Sequence, residues 1–174
     1  QSSYVKVPAG PFNSNTLKTT IKNMSKNIKN HKKFPLLKME SCIFCKIVKG
    51  EIPAAKVYEG SKFIAFLDIS PANKGHALII PKRHYVSLEE MPDSDGKEFG
   101  ELQVKLGKAV MKATNAEGFN LLLNNGKSAG QEVMHAHMHI QPRFSSDGFH
   151  YKWTHKKYEE GEIKEFAEKI KEFL

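Results

Sequence analysis

The chain has 174 residues, with 40% apolar and 26% charged side chains, the ordinary composition of one soluble domain with or without a tail. No apolar run approaches the roughly 20 residues of a membrane helix, and two cysteines cannot build a disulfide scaffold. The formal charge of +8 is placed unevenly: residues 1–39 hold eight of the 27 basic residues and none of the 19 acidic ones, so the remainder is balanced. That leader is rich in Asn, Ser, Thr and Lys and has no sustained apolar period, a composition that does not bury enough surface to offset chain entropy. It is read as a disordered basic leader ahead of a domain over 40–174. A transit-peptide-like segment, an extension upstream of a start at Met39 and a nucleic-acid-binding arm are all open for it.

The pattern tightens from Cys42. Val57–Glu59 and Phe63–Leu67 read as two short strands of a hairpin around Gly60 and Ser61, and Ala77–Pro81 as a buried third strand closed by a proline. Phe99, Leu102, Leu106, Ala109, Val110 and Ala113 recur at helical spacing, with Asp95 and Glu98 as a capping box at the helix start. Asn120–Leu123 is a fourth strand; the loop Asn124–Gln131 follows, then a fifth strand through Gln141. Ile163, Phe166, Ala167, Ile170, Phe173 and Leu174 trace a terminal amphipathic helix. Strands and helices are grouped rather than alternating, which predicts an α+β fold with an antiparallel sheet.

The chemistry concentrates in His135-Ala136-His137-Met138-His139-Ile140-Gln141. Side chains alternate faces along a strand, so the three imidazoles share one face and the apolar residues the other. Neighbouring rings are expected about 6.5–7 Å apart, too far for ring-to-ring hydrogen bonds but able to converge on one phosphate. The same spread is too wide for all three to ligate one tetrahedral ion. The loop before the row carries Gly126 and Gly130, which let backbone N–H groups approach an anion. Cys42-x-x-Cys45 by itself is open between a redox pair, half of a zinc site and no function.

HxHxH behind a glycine-containing loop resembles the histidine triad (HIT) family of nucleotide hydrolases and transferases. Cys42-Ile43-Phe44-Cys45-Lys46-Ile47, Ala65-Phe66-Leu67-Asp68-Ile69-Ser70-Pro71 and Gly75-His76-Ala77-Leu78-Ile79-Ile80-Pro81-Lys82-Arg83-His84 are similar to the Hint-like branch in order and spacing, over about residues 42–144. Asp147-Gly148-Phe149 and Trp153 resemble the tail of bacterial-type members. The resemblance implies a HIT-like fold with a five-stranded antiparallel sheet, a long helix and a C-terminal helix. It implies His137 as the nucleophile that forms a nucleotidyl-imidazole, with His139 and His76 beside the phosphate. Asn124, Gly130 and Gln131 correspond to the phosphate loop and Asp68 to the ribose-binding carboxylate; Ile43, Phe44, Ile47, Ile52, Phe66 and Ile69 correspond to the apolar slot for the base. For these apolar residues ordinary core packing is an equal reading. The resemblance also implies a structural Zn²⁺ held by Cys42, Cys45, His84 and His135.

Two positions depart from the family pattern: Glu132 stands where Ser or Thr is usual, and Gln141 stands at a normally apolar position. Glu132, counted with the nucleotide-binding residues, is expected either to turn away or to slow the enzyme by repelling phosphate. The activity implied is hydrolysis of a purine nucleoside 5′-phosphoramidate, such as adenosine monophosphoramidate. The alternatives are a diadenosine polyphosphate hydrolase and a non-enzymatic nucleotide-binding adaptor. The resemblance further implies a homodimer in the cytoplasm, or in an organelle if the leader is a transit peptide; neither a membrane nor nucleic acid is expected as partner.

Overall fold

The computed structural model describes residues 40–150 and 154–174; the leader and Trp153 lie outside them. The chain divides into two compact units, the first ending at Phe144 and the second spanning Ser145–Leu174. Among the described residues, no helix is long and apolar enough to cross a membrane.

The first unit runs α1 (Ile43–Lys49), β1 (Lys56–Glu59), β2 (Phe63–Leu67), β3 (Ala77–Pro81), α2 (Asp93–Thr114), β4 (Gly118–Leu123) and β5 (Met138–Arg143). All five strands pair antiparallel in the order β1-β2-β3-β5-β4. β2 and β3 are continuous apolar runs because both faces of the sheet are covered. Phe63, Ala65, Ala77, Ile79, Met138 and Ile140 pack on one face with Phe99, Leu102, Leu106 and Val110 of α2. Ile64, Phe66, Leu78 and Ile80 pack on the other with Phe44 and Ile47 of α1. Phe63 stacks on Phe99 at 5.4 Å between ring centres, and a side chain at Gly107 would collide with the Phe119 ring. The absence of a Cβ there lets α2 lie close to β4.

Three expectations are corrected. The long helix begins at Asp93, not at an Asp95 capping box, with Pro92 in extended backbone ahead of it and no side-chain cap. Proline's fixed φ suits that junction, and Asp93 and Asp95 in the first turn complement the helix dipole. Asp95 is spent elsewhere: it accepts the Tyr85 hydroxyl proton at 2.8 Å and pairs with Lys62 at 2.9 Å.

The fifth strand begins only at Met138 and extends to Arg143. Met138 pairs with Ile79, so continuing the ladder would bring Ala136 opposite Pro81, which has no N–H to donate. The Ala136 N–H goes instead to the Tyr85 carbonyl at 2.7 Å. His135 and His137 therefore precede the paired strand while keeping its alternation.

In the second unit α3 covers Glu162–Lys171, so Phe173 and Leu174 fall beyond the helix they were expected to extend. Ile163, Phe166 and Ile170 are exposed on it.

Phe99→Ala should cost about 3–5 kcal/mol, the usual penalty for emptying a buried aromatic site. Phe99 is 2% exposed and ties α2 to β2. Denaturant unfolding followed by circular dichroism checks it; a loss under 1 kcal/mol, the size of a surface change, would remove Phe99 from the core.

Candidate active site and metal centre

The covered face of the sheet that carries α1 also carries the histidines, since odd positions of the 135–139 segment and even positions of β3 point to the same side. On β5, His139 pairs with Leu78 of β3 and Leu122 of β4. His76, two residues before Leu78, sits diagonally from His139, and the two rings are joined: His76 Nε2 lies 2.9 Å from His139 Nδ1. The row is tighter than strand geometry predicts, with 5.0 Å between the His137 and His139 ring centres. The edge-on lean of 67° brings the rings together. Direct imidazole-to-imidazole bonding does occur, but sideways from β5 to the residue before β3, not along the row.

The hydrogen bonds assign the protons. His76 Nδ1 accepts the Ala72 N–H at 3.2 Å, so its hydrogen is on Nε2 and is donated to His139. His139 Nδ1 is thereby an acceptor, and its own hydrogen sits on Nε2. His137 Nδ1 donates to the His135 carbonyl at 2.7 Å, which leaves Nε2 of His137 as a bare lone pair. Burial holds His139 at about pKa 4, helped by the neighbouring imidazoles, and lowers His76 as well against the raising effect of Asp68. At neutral pH both rings are uncharged. The 3.6 Å approach of Asp68 to His76 Nδ1 is therefore polar contact beside an acceptor nitrogen, not an ion pair.

A cavity of about 610 Å³ opens over this face. Ile43, Phe44, Ile47, Ile52 and Phe66 form an apolar wall; Asp68, Ile69, Asn124, Gly130, Glu132, His137 and His139 are also in the lining. The fold thus brings together nearly all the expected site residues. Ile69 stands at the rim, 95% exposed. Phe44 touches both histidine rings, 5.2 Å from His137 and 5.8 Å from His135.

Two expected residues stay out of the lining. His76 is buried behind His139. The Gln131 side chain is turned inward: its oxygen accepts the Gly126 N–H at 2.8 Å, and its nitrogen donates to the Val86 and Val133 carbonyls. It braces the loop from beneath. Asn124 closes the loop from the other side by donating to the Gly130 carbonyl at 3.1 Å, and Gly130 itself takes φ 82°.

Pro53, Ala54, Leu67, Leu78 and Val133 also line the cavity and were not singled out in the sequence. Leu78 could have been found by alternation, since it lies between His76 and Ile80 on one face of β3. Pro53, Ala54 and Val133 sit on irregular backbone, where no period points.

A second cluster lies at the end of β3. Cys42, Cys45, His84 and His135 place one ligand atom each within 4.8 Å of one another. The Sγ–Nδ1 separations are 3.5 Å for Cys42–His135, 3.3 Å for Cys45–His84 and 3.6 Å for Cys45–His135. The two Nδ1 atoms are 3.2 Å apart. A tetrahedron with metal–nitrogen bonds of about 2.0–2.1 Å and metal–sulfur bonds of about 2.3 Å has edges of roughly 3.3–3.8 Å, so the donor set fits. His135 Nε2 donates to the Pro81 carbonyl at 2.9 Å, which leaves Nδ1 free of hydrogen and facing the sulfurs. Burial and the Cys42 sulfur push the Cys45 thiol up to about 12, so a thiolate at Cys45 would need a cation beside it.

The HIT domain family model matches residues 49–146. The chain belongs to the histidine triad family. This HIT protein is 52% identical over 107 residues to an uncharacterised HIT-like protein of Methanocaldococcus jannaschii, covering 62% of this chain and 82% of the relative. It is 44% identical over 131 residues to the adenosine 5'-monophosphoramidase of Schizosaccharomyces pombe, covering 75% and 96%. A HIT family protein from Bacillus subtilis has the same fold, with a TM-score of 0.72 at 42% identity, covering 77% of this chain and 97% of that one. A Zn-bound histidine triad family protein from Mycobacterium smegmatis gives a TM-score of 0.61 at 32% identity, covering 78% and 99%. The five-stranded antiparallel sheet with its long helix is the HIT fold expected from the motifs.

The His139 shift makes stability depend on pH. Its folded pKa lies below the unfolded value of about 6.5, so the unfolded chain binds more protons in between. Its contribution is fully present above about 6.5 and is lost as pH falls toward about 4. Urea midpoints at pH 7.5 and 5 should differ more for the wild type than for His139→Gln; equal differences would show that the ring titrates normally.

Proposed function

We propose that this HIT protein is a nucleotidyl hydrolase acting on the α-phosphate of purine nucleotides through a nucleotidyl-histidine intermediate, with nucleoside 5′-phosphoramidates as its substrate class. The 2.7 Å bond from His137 Nδ1 to the His135 carbonyl carries this reading. It places the ring hydrogen on Nδ1 and directs Nε2 to the cavity as the nucleophilic nitrogen. The base enters the apolar wall of Ile43, Phe44, Ile47 and Phe66, and Asp68 accepts from the ribose hydroxyls. His139 Nε2–H is the hydrogen-bond donor for a non-bridging phosphoryl oxygen, and His76 is a positioning residue that holds His139 in that tautomer.

In the first step the His137 Nε2–P bond forms as the P–N bond breaks, the departing nitrogen taking a proton from solvent to leave as the amine. In the second, water oxygen bonds phosphorus and the P–Nε2 bond breaks, releasing a nucleoside monophosphate. Over the two steps one water is consumed, its oxygen ending on phosphorus and a proton on the amine. The monophosphoramidase name of the fission-yeast relative supports this substrate class. So does the cavity wall, which has no Lys or Arg among the described residues to neutralise a polyphosphate.

The four-donor cluster is proposed as a Zn²⁺ site, supported by the closed Cys₂His₂ set and by the zinc-bound mycobacterial relative. Cys42, Cys45, His84 and His135 would hold the ion, and bound there it would cross-link the start of α1, the segment after β3 and the segment entering β5. A homodimer is proposed as well: β4 is a sheet edge, with Leu121 exposed on it and Val104 exposed on α2.

His137→Ala should lower phosphoramidate turnover by several orders of magnitude while nucleoside monophosphate affinity stays within about tenfold. Acid quench during wild-type turnover at neutral pH, with rapid neutralisation and peptide mapping, should find the nucleotidyl adduct on His137. Near-wild-type turnover in the variant would refute the assignment.

Protein purified without chelator should carry about one zinc per chain by elemental analysis. Cys42→Ser or His84→Ala should lose it and melt earlier, whereas His137→Ala should keep it. Stoichiometric zinc in the Cys42→Ser, Cys45→Ser double variant would exclude this ligand set.

A further inference from the structure

The ionisable groups lining the cavity are Asp68, Glu132, His137 and His139. Of the two carboxylates, Asp68 is engaged: Oδ1 accepts the Ser70 N–H at 2.8 Å, and Oδ2 faces the His76–His139 pair. Glu132 has no hydrogen-bond or ion-pair partner among the described residues; it is exposed and lines the cavity. The reason is its neighbour. Gln131 is 4% exposed and holds three backbone groups beneath the loop, which leaves Glu132 to face the opening beside Gly130 and Asn124.

An unpaired carboxylate at this place repels a negative substituent on phosphorus and attracts a positive one. The apolar wall and Asp68 account for the nucleoside. Glu132 is then the charged wall group left for the other substituent, the one that departs.

We propose that Glu132 is a specificity-determining residue that selects substrates whose leaving amine carries a second, cationic group. This rests on the phosphoramidate reading above and adds to it the leaving-group class. It refines the expected slowing: the same carboxylate disfavours anionic leaving groups and favours a cationic one. Charge complementarity of this kind chiefly sets discrimination between partners.

The test uses three adenosine 5′-phosphoramidates differing only in the amine: 2-aminoethyl (cationic), propyl (neutral) and 2-carboxyethyl (anionic). kcat/KM is measured for the wild type, Glu132→Gln and Glu132→Lys. The wild-type ratio of aminoethyl to propyl substrate should exceed that of Glu132→Gln by about two- to fivefold, the scale of one exposed charge pair. High salt should shrink the wild-type ratio, and Glu132→Lys should invert the order toward carboxyethyl. Ratios that are the same in wild type and Glu132→Gln, with the propyl substrate turned over, would overturn the role of Glu132 alone. No wild-type turnover of any of the three would overturn the phosphoramidate reading and this proposal with it.

Discussion

His135 is the residue on which the site is hung. Its ring nitrogen Nε2 donates to the Pro81 carbonyl at 2.9 Å, tying the end of β3 to the segment entering β5. Its other ring nitrogen faces the two cysteines and His84. Its own carbonyl receives the His137 Nδ1–H at 2.7 Å. One fully buried imidazole thus fixes where the chain enters the sheet, completes a four-donor cluster and orients the ring that faces the cavity. Burial keeps it neutral, near pKa 4, which suits a residue that must present a lone pair to the cluster.

The same logic governs the neighbouring histidines. Both faces of the sheet are covered, α2 on one and α1 on the other, so an imidazole on the α1 face sits where the charged form is poorly solvated. The uncharged rings then sort their hydrogens by the fixed backbone and ring partners around them. Ala72 N–H sets His76, His76 sets His139, and the His135 carbonyl sets His137. The His76–His139 pair is thus low in charge and high in direction.

The loop ahead of β5 illustrates how packing assigns roles to adjacent residues. Gln131 is buried and fully hydrogen-bonded, and its satisfaction leaves the following carboxylate at the cavity. An inward Gln braces the loop around its 3-10 turn at Lys127–Ala129, while Gly126 and Gly130 supply the positive φ values that the tight path requires.

Much of this protein was legible in the order of residues. Strand β3, the hairpin before it, the period of α2 and the apolar-against-histidine alternation of 135–140 follow from local geometry, which sequence spacing reports directly. The motifs placed Cys42, Cys45, His84 and His135 in one set and His137, His139, Asn124, Gly130 and the α1 apolar residues in another, and the fold brings each set together. Other features were decided by tertiary structure, because they depend on which strand lies beside which. β5 starts at Met138 since its neighbour there runs out at a proline, a fact of register between residues more than 50 apart. His76 meets His139 only because β3 and β5 are adjacent, and Asp95 leaves its helix-cap role because Tyr85 and Lys62 are within reach. The sequence alone set which faces carry chemistry. Local backbone groups place the hydrogens of His76 and His137, whereas the hydrogen of His139 is decided by a ring 63 residues away, a neighbour that no local spacing encodes.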